Sequence, residues 1–183
     1  MKRIALLTAF AFFVICGYAQ NIKFNGVPLG IGIEQFEPLL IQKGYKVVNK
    51  SGADQVATRN MTYYSGVFAG TKVSLSVMST PISQLAQLVS ASFDDYATDV
   101  PEMTELQINR KFEEIKTSLS EKYPNAKKTT WNEGYITKAY SLESTKWQIN
   151  LSVQEHDGVK GLHILYVDKE ATATAKHEYE MDY

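Results

Sequence analysis

Two stretches about 75 residues apart repeat one pattern, a helix-period segment followed by a strand-period segment, and a chain that carries this pattern twice has few architectures open to it. In TKVSLSV, Val73, Leu75 and Val77 alternate with Lys72, Ser74 and Ser76. In TKWQINLSV, Trp147, Ile149, Leu151 and Val153 alternate with Lys146, Gln148, Asn150 and Ser152. Successive side chains of a strand point to opposite faces, so each segment has one apolar and one polar side. The pattern predicts antiparallel strands with a core face and a solvated face.

Each strand region is preceded by a helix signal. GIEQFEPLLIQKGY places Ile33, Phe36, Leu39 and Leu40 on one stripe and ends at Gly44, which can adopt the left-handed conformation of a helix terminus. Pro38 fits such a helix only near its first turn. TELQINRKFEEIKTSLSEKYP has capping-box spacing at Thr104 and Gln107, an apolar face of Ile108, Phe112, Ile115 and Leu119, and a terminator at Pro124. Phe36 to Thr71 spans 35 residues and Phe112 to Thr145 spans 33, so helix and TK strand recur in the same order, as a degenerate repeat.

The expected fold is therefore α+β: a duplicated helix plus antiparallel β-sheet repeat, with the helices packed on one sheet face. Turns are expected at 69–71, 143–145 and 156–158, the last at Asp157 and Gly158. Residues 82–93 fit either period, and strand is expected because the counterpart GLHILYV at 161–167 reads as strand. The boundaries that follow are 20–98 for the first repeat, 99–168 for the second, and 169–183 for a polar tail, read as a short fraying helix or disorder. DDYATDVPEM, with Pro101, reads as the linker between the halves.

Residues 1–19 have the form of a secretory signal peptide: MKR, then IALLTAFAFFVIC, which is too short to span a bilayer, then a small-residue exit. Gly17 and Ala19 suit cleavage after Ala19, with Gln20 as the new N-terminus. Lipidation of the only cysteine, Cys16, would require a small residue before it, and Ile15 argues against that. The exported chain is then cysteine-free, which removes disulfides and thiolate chemistry. Loss of Lys2 and Arg3 leaves 17 basic against 20 acidic residues, so the net charge moves from −1 to −3. That balance argues against a nucleic-acid partner, and no second segment is apolar enough for a transmembrane span.

KFNGVPLGIGIEQFEPLLIQKGYKV, directly after a signal peptide, resembles the opening of small uncharacterised exported proteins of Bacteroidetes, which read F-x-G-[IV]-P-[IL] followed by a helix ending K-G-[FY]. The resemblance continues through FEEIKTSLSEKYPNA and LHILYVDKE. It implies export and no particular activity. Pro38 and the missing polar N-cap near Gly30 depart from the pattern at the first helix. A duplicated helix and four-stranded antiparallel sheet is also similar in arrangement to the β-lactamase-inhibitor-protein-like fold of envelope proteins, a likeness that does not fix function.

The side chains offer little catalytic chemistry. His156, His163 and His177 fall in a turn, a strand and the tail, without metal-ligand spacing. Glu113, Glu114, Lys116, Glu121 and Lys122 read as the wet face of the second helix. Asp94 and Asp95 are not followed by a calcium loop, no serine sits in G-x-S-x-G, and LGIG at 29–32 lacks the spacing of a phosphate loop. No catalytic residue, metal site or cofactor is therefore predicted.

The aromatics give the positive signal. Tyr63, Tyr64, Trp131, Tyr135, Tyr140 and Trp147 belong to sheet segments, so some of them must face away from the core. Tyr135 is out of phase with Ile136, Tyr140 and Leu142 and is expected on the polar face with Gln148 and Asn150, the three residues predicted to contact a ligand. The leading reading is an exported, non-enzymatic binding or interaction module of the cell envelope, periplasmic or secreted, whose partner is a protein, peptide or glycan. The alternatives are an envelope assembly or structural accessory protein, and an enzyme with a site built from dispersed carboxylates. A broad aromatic-bearing sheet face favours the binder, and a deep pocket with converging carboxylates favours the enzyme.

Overall fold

The computed structural model describes residues 22–50, 60–93 and 103–181. The signal segment with Cys16 and Ala19, and the linker at 94–102, lie outside the described residues. A small hairpin, β1 (Lys23–Phe24) and β2 (Val27–Pro28), precedes α1 (Ile33–Gln42). Strands β3 (Lys46–Lys50), β4 (Met61–Phe68), β5 (Thr71–Ser79) and β6 (Ala86–Ser92) follow. The same order recurs in α2 (Glu105–Lys122), β7 (Lys127–Glu133), β8 (Ile136–Glu143), β9 (Trp147–His156) and β10 (Val159–Asp168), and α3 (Lys169–Met181) ends the chain. The protein is α+β and dominated by its sheet.

Each half contributes an antiparallel meander, and the meanders join through their last strands to give one eight-stranded sheet of order β3-β4-β5-β6-β10-β9-β8-β7. The β6–β10 junction pairs His163 with Ser92 and Tyr166 with Val89. Residues 86–92 are thus strand, and β6 needs both neighbours for its pairing. Type I′ turns close three hairpins, at Asn25–Gly26, Ala69–Gly70 and Asp157–Gly158, each with both central residues at positive φ. Alanine is a poor residue for this conformation because its Cβ crowds the following carbonyl. Replacing Ala69 by Gly or Asn is expected to raise the urea midpoint, with a gain of about 0.5–1 kcal/mol; an unchanged or lower midpoint would contradict the assigned turn.

The helices form where their residues dictate. On α2 the Thr104 side chain accepts from the Gln107 backbone, and the Gln107 side chain accepts from the Thr104 N–H at 2.8 Å, completing the capping box. On α1 the N-cap is Gly32, with no side-chain cap. Pro38 lies in the second turn rather than the first, on the exposed side, where its ring faces solvent and one backbone bond is forgone. A Schellman motif ends α1: Gly44, at φ +89°, donates to Ile41, and Tyr45 donates to Leu40.

Ile108, Phe112, Ile115 and Leu119 of α2 join Phe36 and Leu40 of α1 in one hydrophobic cluster with Leu75, Val89, Ile149, Leu151 and Ile164 of the sheet. The helices therefore cover one face, and the phase of β5 and β9 follows the alternation of their sequences. The tail departs from the expectation of fraying or disorder. Helix α3 begins where Ala171 N–H bonds the Asp168 carboxylate at 2.9 Å and Lys169 N–H bonds the Lys146 carbonyl. Near its other end, the buried Glu178 accepts from the backbone N–H groups of Ile82 and Ser83 at 2.8 and 3.0 Å. The helix thus straps the end of the sheet, from the β8–β9 turn to the β5–β6 turn. Glu178→Ala is expected to speed amide exchange at Ile82, at Ser83 and along α3 while sparing β9; exchange that stays at the wild-type rate there would show that the strap is held otherwise.

Candidate functional site

Strand register determines which side chains are neighbours on the face opposite α1 and α2. One row runs from Ser65 and Ser74 through Ser92 and His163 to Ser152, Ala139 and Trp131. The next runs from Tyr63 and Ser76 through Ser90 and Leu165 to Asn150, Ser141 and Thr129. Six strand spacings carry each row across both halves of the sheet, about 29 Å. Most of these side chains are half-buried, and Ser74, Ser141 and Ser152 are buried.

A hydrogen-bonded network fixes the second half of this face. Trp131 Nε1 donates to Ser141 Oγ at 3.0 Å, Ser141 donates to Asn150 Oδ1 at 2.8 Å, and Gln148 Nε2 donates to the same oxygen at 3.0 Å. Three strands are joined by side chains at one place. Asn150 and Gln148, both expected to contact a ligand, are brought together here.

Tyr135 is not with them. Gly134 takes the positive φ at the first position of the β7–β8 turn, Tyr135 takes the second, and β8 begins at Ile136. Tyr135 is exposed and stacks on His156, with ring centroids 4.7 Å apart. Asn150 and His156 are six residue steps apart on β9, about 20 Å along the strand. Alternation alone does not single out Trp131, the partner of Ser141, or the serine rows around His163. The serines were visible as the alternation of Ser90 and Ser92 with Val89, Ala91 and Phe93, but their alignment with β9 depends on the β6–β10 junction.

Ion pairs border the helix side. Glu113 accepts from Lys138 at 2.7 Å and from Lys116 at 3.2 Å, and Lys138 also lies 4.3 Å from the Phe112 ring centroid. Hydrogen bonds from Lys138 and then Lys116 hold the Glu113 carboxyl below the usual range. The resulting stability is full above the unfolded carboxyl value, about pH 4.3, and is lost as pH falls through the lower folded value. The urea midpoint is therefore expected to fall on the acid side, and less steeply in Glu113→Gln. Equal acid slopes for the two proteins would contradict this pairing.

Two cavities open on the helix side. One, about 320 Å³, lies between Phe112, Lys116, Thr130 and Lys138; the other, about 360 Å³, lies beside Phe68, Leu119, Lys122 and Tyr166. Among the described residues the only carboxylate lining them is Glu114, which is paired to Lys111 at 2.8 Å. Among the described residues no group of three or more His, Cys, Asp or Glu is placed to hold a metal ion. No described helix is long and apolar enough to cross a membrane. The edge strand β7 is exposed throughout, but it carries Lys127 and Lys128 and a bulge between Trp131 and Glu133, features that discourage pairing with another chain.

Fold and face together define an α+β, sheet-dominated protein with a registered polar face. No family model matches the chain, and no curated protein or solved structure is significantly similar to it.

Proposed function

We propose that the protein is an exported, non-enzymatic binding module of the cell envelope, cleaved after Ala19, and that the polar sheet face receives its partner. The observation that carries this reading is the pair of side-chain rows running in register through both halves, with Trp131, Ser141, Asn150 and Gln148 locked to one another at one end. A locked polar surface loses little conformational entropy when it is covered. At about 29 Å across, the face suits a protein, a peptide or a glycan chain better than a small molecule. Trp131 and Tyr63 supply the aromatic anchors that such surfaces use.

A photocrosslinker placed at Ser76, Ser90 or Gln148, with the protein in the envelope of producing cells, is expected to give discrete adducts, and one at Glu121 on α2 to give none. Asn150→Arg should remove adduct formation at Gln148. Adducts confined to the helix side would contradict the proposal. Intact mass tests export separately: the chain should begin at Gln20, whereas an acylated chain beginning at Cys16 would make the protein a lipoprotein.

A further inference from the structure

We propose that the cavity between α2 and the turns at Asn25–Gly26 and Ala69–Gly70 is a second site, which takes a small organic anion with its charge at Lys122 and its apolar body against Phe68, Leu119 and Tyr166. The site is independent of the polar face, which lies on the other side of the sheet. Its volume, about 360 Å³, falls in the range of small-molecule sites.

The fold builds the walls and holds them. Phe68 stacks on Phe24 at 5.0 Å, and Tyr166 meets Phe24 edge-on at 5.3 Å, so the aromatic side is a packed cluster. The opposite side is the α2 surface at Ile115, Ser118 and Leu119. Ala69, which lines the rim, is held in its left-handed conformation while Lys111 Nζ donates to its carbonyl at 2.9 Å. This is a pre-formed recess with an apolar floor and a polar mouth.

The charges at the mouth select the ligand. Glu114 is neutralised by Lys111. Lys122 has no carboxylate within ion-pair distance among the described residues; it lies 5.3 Å from the Tyr123 ring centroid, and the charge of Lys23 bears on it. Lys122 is exposed at the mouth, and partial desolvation and then Lys23 hold its ammonium below the ordinary lysine value. Tyr166, only 3% exposed, lines the cavity as part of its aromatic floor. A cation without a carboxylate partner beside an aromatic floor suits a carboxylate or sulfonate on a flat apolar body. A cation would be repelled by Lys122 and Lys23, and a neutral molecule would leave Lys122 as it is.

Indole-3-acetate and its neutral amide serve as matched probes, titrated into the protein by calorimetry and by amide chemical shifts. The acid is expected to bind at least about tenfold more tightly than the amide, the factor that one charge-assisted hydrogen bond supplies. Lys122→Met should reduce the acid to the level of the amide, and Ser118→Trp should block both probes. If Ser118→Trp does not fold, Lys122→Met decides alone. No binding at millimolar concentration, equal binding of acid and amide, or a preference that survives Lys122→Met would each overturn the proposal. None of these outcomes alters the test of the polar face.

Discussion

Gly66→Ala is expected to destabilise the protein by about 3 kcal/mol, a large effect for a single methyl group. Gly66 points to the core face of β4, and a Cβ built there would meet the Tyr45 ring, with Cδ1 at 2.2 Å and Cε1 at 2.6 Å. The ring has nowhere to go. Tyr45 is 1% exposed, donates to the Val67 carbonyl at 3.0 Å and accepts from the Asn25 amide at 3.3 Å, while burial pushes its hydroxyl up to about 12. A glycine inside a strand otherwise weakens it, and here an aromatic ring covers the bare backbone. Urea denaturation is the measurement, and a loss below about 1 kcal/mol would mean that Tyr45 does not lie on Gly66. In a Tyr45→Ala background the same glycine change should cost markedly less, because the clash is gone.

Phe112→Ala should cost about 3–5 kcal/mol, since the ring is 1% exposed at the centre of the α2 stripe and joins the cluster with Leu151 and Ile164. Trp147 is expected to matter less than its size suggests. It begins β9, is only partly buried, and packs on Tyr123 at 4.8 Å rather than in the centre of the core. Gln148→Ala removes one hydrogen bond and should cost about 0.5–1.5 kcal/mol. The ranking Phe112, Trp147, Gln148 is what matters. A loss at Gln148 equal to that at Phe112 would mean that both faces of β9 are core.

How far these features could be read in advance depends on whether their cause is local. The capping box of Thr104 and Gln107, the stop at Gly44, the turn at Asp157–Gly158 and the phase of β5 and β9 arise from neighbours in the chain, and each lies where the sequence indicates. The misreadings share a different origin. The alternation of its neighbours predicts Tyr135 in a strand, but Gly134 puts the turn there. The tail looked too polar to dock, yet its anchors are Asp168 and Glu178, polar residues that bond backbone N–H groups rather than bury apolar surface. Of the candidate site, Gln148 and Asn150 were legible from alternation alone. Trp131 and Ser141 were not linked to them, because that link needs the register of three strands at once.

The separation of the sheet into a core face and a recognition face is tested most directly by an arginine scan of adjacent positions, with urea midpoint and crosslinked adduct read on the same variants. Ser90→Arg should keep stability within about 1 kcal/mol of the parent protein, Asn150→Arg, which gives up the two hydrogen bonds at Oδ1, should lose about 1–3 kcal/mol and still fold, and both should abolish adduct formation. Val89→Arg and Ile149→Arg, one residue away and wholly buried, should fail to fold. Comparable losses of stability at all four positions, or adducts that survive both polar-face substitutions, would contradict the account.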